Sequence, residues 1–190
     1  SFEFLPGGKI LIAERAGQLR LVGADGKLSE PIKDGLPPVA YAGQGGLLDV
    51  ALDPNFSANQ TIYWSYSEPQ ADGANNTAVA KAKLVDGATP KLENVQVIYH
   101  QKPALKSPLH FGSRLVFAKD GTLFVTQGER SVLSGRVQAE DLERLLDGPD
   151  RLGEQVHPGG IQPAAEREMG PEPASVIQRC HVVRPDRQQD

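Results

Sequence analysis

His110 opens the segment His110-Phe111-Gly112-Ser113-Arg114-Leu115-Val116-Phe117, which a short turn links to Thr122-Leu123-Phe124-Val125-Thr126-Gln127-Gly128-Glu129-Arg130. The pattern predicts a β-hairpin with one histidine at its mouth. Such an imidazole is held by rigid backbone yet faces whatever lies beyond the sheet end, and imidazole is the side chain best matched to proton transfer near neutral pH. Gln44, in Gly43-Gln44-Gly45-Gly46, offers a neutral hydrogen-bond donor, and the surrounding glycines let backbone approach a flat group closely. Each residue also has a plainer reading. His110 could be a solvated residue at a strand start, and Gln44 could merely serve a tight turn. Arg114 is expected to pair with a carboxylate between strands. Glu129-Arg130 could simply end the hairpin. His100, His157 and His181 lack partners at metal-ligand spacing, and Asp72-Gly73-Ala74-Asn75-Asn76 lacks the alternating oxygen ligands of a calcium loop.

The elements that must position these residues read as β. Strands are expected over Lys9–Glu14, Gln18–Val22, Gly46–Leu52, Thr61–Ser67, Ala78–Val85, Val95–His100, Ser113–Phe117 and Thr122–Gln127, separated by Gly, Pro and Asp turns. The chain start, Ser1-Phe2-Glu3-Phe4-Leu5-Pro6, reads as the middle of a further strand. Short strands at this spacing form a sandwich, a barrel or a propeller. An internal repeat favours the propeller. Phe4–Ala13 aligns without gaps on Phe117–Thr126, and Leu52-Asp53-Pro54 before Thr61–Tyr66 is a looser third copy with an insertion.

Bulk composition narrows the partners. A net charge of -4 with no Lys/Arg cluster argues against nucleic acid. No apolar run is long enough for a membrane span. Cys180 is the single cysteine, which excludes an internal disulfide and a cysteine-built zinc site. The six Phe, four Tyr and one Trp all fall between Phe2 and Phe124. The aromatic-free remainder, rich in Pro, Arg, Glu and Gln, is expected to lack a packed core, except that Gln138–Leu146 could make a short amphipathic helix.

Taken in order, GQGGLLDVALDP (43–54), IYWSYSE (62–68), HFGSRLVF (110–117) and DGTLFVTQGER (120–130) resemble the soluble glucose/sorbosone dehydrogenase family, over about Phe2 to Leu142. The resemblance implies an all-β, six-bladed β-propeller, here incomplete with two to three blades and an irregular C-terminal tail. It implies an oxidoreductase that oxidises aldose sugars at C1, with hydride passing to pyrroloquinoline quinone (PQQ). His110 matches the general base at the cofactor, and Gln44 matches a glutamine that contacts PQQ; Glu129 lies where the family has an acidic residue after a glycine. Calcium, an unspecified electron acceptor and a periplasmic or secreted location are implied in the same way.

After Leu142 the family would continue with a strand and later supply the residues that grip the PQQ carboxylates and frame calcium. None is recognisable in 143–190. The expected division is therefore 1–142 as a partial propeller and 143–190 as a disordered or aberrant, frameshift-like tail, and the chain as it stands is expected to be a truncated, inactive form. Two other readings use the same residues. One is a non-catalytic propeller binding module, because propellers host many functions. The other is a lactonase-like hydrolase, which needs a Glu/Asn/Asp metal cluster.

Overall fold

The computed structural model describes residues 1–132 together with the backbone of 178–183. The possible helix over Gln138–Leu146, the boundary at Leu142 and His157 lie outside the described residues. Among the described residues ten strands form three antiparallel sheets. The first runs β1 (Phe2–Phe4), β2 (Ile10–Glu14), β3 (Gln18–Val22) in that order. The second has four strands in sequence order: β4 (Leu47–Leu52), β5 (Thr61–Pro69), β6 (Asn75–Val85) and β7 (Lys91–His100). The third pairs β8 (Gly112–Phe117) with β9 (Leu123–Gly128), and β9 with β10 (Gln178–Val183). Strand β10 departs from the expectation of an irregular tail at those six residues. It supplies the open edge of β9 with backbone partners, which an apolar strand edge strongly favours.

The repeat read from the sequence is the repeat of the fold. In each copy one backbone N–H closes the turn between the first two strands of a sheet: Leu5 onto the Lys9 carbonyl at 2.9 Å, Asp53 onto Thr61 at 3.0 Å, and Ala118 onto Thr122 at 2.8 Å. The insertion in the middle copy is a single helical turn, α1 (Phe56–Asn59), pinned by the buried Phe56 ring. β4 lies between β1 and β8, so the equivalent strands of the three sheets are neighbours. This is the stacking of consecutive propeller blades, and the described residues form an incomplete propeller.

Period-two alternation explains how the sheets stack. On β5, Ile62, Trp64 and Tyr66 face the first sheet and join a core with Leu11, Leu19 and Leu21. Tyr63, on the opposite face, packs with Val79, Leu115, Leu123 and Val125 toward the third sheet. A strand buried on both faces is largely apolar at successive positions, as Ile62–Trp64 are, and the buried Ser65 hydroxyl is satisfied by donating to the Ser113 carbonyl at 2.7 Å. Polar stitches cross the same interfaces. The buried Asp49 carboxylate accepts from Ser1 Oγ at 2.6 Å and from Leu115 N–H at 2.8 Å, and it pairs with Arg114 at 3.4 Å. Arg114 thus has the inter-strand carboxylate expected for it.

Candidate functional site

The loops that carry the chemistry gather at one end of the three sheets. The segment before β4 carries Gln44, the segment before β8 carries His110, and the chain leaving β9 carries Glu129 and Arg130. Close backbone approach makes this possible. Gly128 sits under the His110 carbonyl, which would lie 1.9 Å from a Cβ built there, so no other residue fits at the end of β9. Gly43, at φ +53°, lies against Pro108, whose carbonyl would be 2.7 Å from such an atom.

Sequence reasoning singled out His110 and Gln44, and the structure brings them into direct contact. The His110 backbone N–H donates to Gln44 Oε1 at 2.8 Å, while the Gln44 N–H donates to the Pro108 carbonyl at 2.8 Å. The two loops are thereby one unit. Glu129, left open between a site role and a hairpin end, lies against the imidazole: its Oε1 is 2.5 Å from His110 Nδ1. Its other oxygen accepts the Ser131 N–H. The carboxylate side chain is only 5% exposed, whereas His110 remains 34% exposed. A carboxylate accepts but does not donate, so it selects the tautomer with the proton on Nδ1. Nε2, on the opposite edge of the ring, is then the free proton acceptor.

Two arginines support these loops, and no sequence motif marks either role. Arg15, in the β2–β3 turn, donates to the carbonyls of Gly43 and Gly45, bracketing Gln44, and lies 4.6 Å over the Tyr41 ring. Arg130 is fully buried. Its guanidinium donates to the carbonyls of Leu109, Ser107 and Asn75 and to Asn75 Oδ1, and it lies 3.7 Å from the centre of the Phe111 ring. Burial pushes its pKa down to about 10, and the neighbouring Glu129 charge opposes the shift. A loop arginine normally reads as solvated, and only the packing of the 107–111 segment over it changes that.

Backbone strain marks the same place. Among the described residues six non-glycine residues have positive φ, and four of them are here: His110, Ser113, Arg130 and Ser131. Such conformations persist where surrounding contacts over-determine them, and they cluster at functional sites.

Of the remaining sequence candidates only Asn75 reaches this site, through the Arg130 guanidinium. His100 pairs with Glu68 at 2.8 Å and has no third ligand. His181 lies in β10. Asp72–Ala74 lie in the turn between β5 and β6, in which Asp72 Oδ1 accepts the Ala74 N–H at 3.0 Å, and Asn75 and Asn76 open β6. Among the described residues no group of three or more His, Cys, Asp or Glu could hold a metal ion. No helix among them is long and apolar enough to cross a membrane.

Fold and site together define a propeller segment with a carboxylate–imidazole pair at its loop end. The family model for glucose / sorbosone dehydrogenase matches residues 1–161. The chain belongs to that family, and the match extends past Leu142, the end of the sequence resemblance. The chain is 41% identical over 153 residues to the aldose sugar dehydrogenase YliI of Escherichia coli, covering 80% of this chain and 40% of that protein. Among solved structures, the apo-form of the soluble aldose sugar dehydrogenase from Escherichia coli superposes with a TM-score of 0.68 at 41% identity, covering 76% of this chain and 40% of the other. The PQQ-bound form of an aldose sugar dehydrogenase from Streptomyces coelicolor gives a TM-score of 0.57 at 23% identity over 70% of this chain and 39% of the other, a likeness of fold alone. The chain thus spans about 40% of the length of its first relative.

Proposed function

We propose that this chain carries the proton-accepting part of a PQQ-dependent aldose sugar dehydrogenase, an oxidoreductase in which His110 is the general base. The observation that carries the reading is the contact set at His110: Glu129 on Nδ1 and Gln44 on its backbone N–H. A binding module has no need of a buried carboxylate aligned on a half-exposed imidazole. That pairing is what an acceptor of a hydroxyl proton requires.

The residues fit one edge of a planar, oxygen-rich group. Gln44 Oε1 is engaged by His110, which leaves the amide NH2 to donate outward, and the glycines around it keep the approach open. Gln44 and the His110 ring would therefore hold PQQ. The guanidinium groups of Arg15 and Arg130 are committed to carbonyls, so the carboxylates of PQQ, and calcium, are assigned to residues outside the described ones. When bound, PQQ supplies the hydride acceptor. This chain's own residues prepare the sugar. His110 Nε2 takes the proton of the C1 hydroxyl, and hydride leaves far more easily from the alkoxide-like carbon that results. Glu129 holds the ring in the accepting tautomer and stabilises the imidazolium as it forms. The sugar, the electron acceptor and a periplasmic or secreted setting follow from the family and belong to the same proposal.

The test uses a chimera in which residues 1–132 of this chain are continued by the remainder of the Escherichia coli relative, loaded with PQQ and calcium. His110→Gln should lower turnover by about 10²-fold or more and leave PQQ binding largely intact, while Gln44→Ala should cost less, because one neutral hydrogen bond is lost. Full turnover in the His110→Gln chimera overturns the assignment.

A further inference from the structure

We propose that Arg130 is a positioning residue for His110, clamping the loop on both sides of the imidazole so that the ring stays on Glu129; this rests on the reading of His110 as the base. Its side chain holds the loop before the histidine, through the carbonyls of Ser107 and Leu109. It supports the residue after it, through the Phe111 ring at 3.7 Å. Its main chain completes the clamp: the Arg130 N–H donates to the His110 carbonyl at 3.3 Å, and the Arg130 carbonyl accepts from Ser107 Oγ. Asn75, at the start of β6, anchors the guanidinium to the neighbouring sheet.

The pattern of partners argues for geometry over charge pairing. Among the described residues no carboxylate lies within salt-bridge distance of Arg130, although it is fully buried. A buried cation satisfied by carbonyls is an expensive way to fill space, and its depressed pKa records that expense. What the planar fork provides, and a lysine or an apolar side chain does not, is several donors at fixed angles to carbonyls two residues apart. His110 needs that support because its backbone sits at φ +47°, where a non-glycine residue does not stay unaided.

The experiment follows the His110 ring by two-bond 1H–15N spectra of the 190-residue chain. The wild-type ring is expected as one tautomer, protonated on Nδ1. Arg130→Met should lose the single-tautomer signature, Arg130→Lys should restore it only in part, and Arg114→Met, which removes an exposed arginine nearby, should leave it unchanged. In the PQQ-loaded chimera Arg130→Met should lower kcat by about tenfold or more, with KM for the sugar within about threefold. If Arg130→Met does not fold, Asn75→Ala decides, since it loosens the guanidinium without removing it: a weakened tautomer preference supports the clamp, and an unchanged one overturns it. A folded Arg130→Met chain with a wild-type His110 spectrum also overturns it, as does an equal change in Arg114→Met. The base assignment fails separately, through full turnover of His110→Gln with the Arg130 spectra intact.

Discussion

Glu129→Gln is the most direct probe of the carboxylate–imidazole pair, because it preserves shape while removing the charge and reversing one hydrogen bond. The contact is short, 2.5 Å, and its carboxylate is nearly inaccessible to water. A hydrogen bond to a charged group in such a setting contributes about 1.5–3 kcal/mol. If that stabilisation applies to the imidazolium that forms as the sugar hydroxyl is deprotonated, at about 1.4 kcal/mol per tenfold in rate, its loss lowers turnover about 10- to 150-fold. The amide adds a second penalty. Its NH2 would donate to Nδ1 and push the ring proton to Nε2, the atom that must accept, so the loss should reach about 10²-fold or more. Steady-state turnover of the PQQ-loaded chimera with an artificial acceptor measures this, with cofactor titration as the control for binding. Turnover within about threefold of the parent, with the Nε2-protonated ring seen in the spectra, would refute the idea that this pair prepares the base.

Two further outcomes test the frame that carries the site. Leu123→Ala empties a fully buried position that packs with Tyr63 and Val79 across the second interface; it should cost about 2–5 kcal/mol, and a chemical denaturation midpoint that does not move would contradict that packing. Glu3 has its carboxyl raised above the ordinary value of 4.5, first by burial and then by the neighbouring Asp49 charge. The folded state therefore binds the proton more tightly, and the stability this contributes is fully present below pH 4.5 and lost as pH rises through the folded value. Glu3→Gln should raise the Tm at neutral pH, with the advantage fading as pH falls through the raised folded value and gone below about 4.5; a constant difference at all pH values would exclude the linkage.

Much of the frame was legible because sheets advertise themselves through local rules. The doubly buried β5 shows itself in the apolar Ile62–Trp64 and Tyr66, and the Pro/Asp/Gly turns recur at equivalent points of the three copies. Strand ends were harder. β6 begins at Asn75 and not Ala78, because Asn76 and Thr77 are polar yet buried opposite Glu68 and Ser67, and polarity without tertiary context reads as loop. α1 escaped notice because four residues are too few to show a helical period. At the site, His110 and Gln44 were found through their motifs, but their contact depends on a hydrogen bond across 66 positions of sequence. Arg130 was invisible as a clamp for the same reason: the acceptors that define its role come from two separate segments, the loop of Ser107 and Leu109 and the start of β6 at Asn75.

The distribution of strain explains why those illegible contacts concentrate at one end. Left-handed backbone at a non-glycine residue costs about 1–3 kcal/mol; three such residues stand in the loops that converge on His110, and a fourth, Ser113, near the start of β8. No local preference of His, Ser or Arg would select that arrangement, so something non-local must hold it. The sheets provide rigid attachment points on either side, with the cores around Trp64 and Leu123 beneath them. Glycines 43 and 128 admit the close approach, and the Arg15 and Arg130 guanidinium groups tie down carbonyls that these conformations leave without strand partners. A loop organised only for stability would relax toward ordinary φ values. That this one is held away from them, with its single histidine fixed between a carboxylate and a glutamine, is the physical ground for assigning it the chemistry.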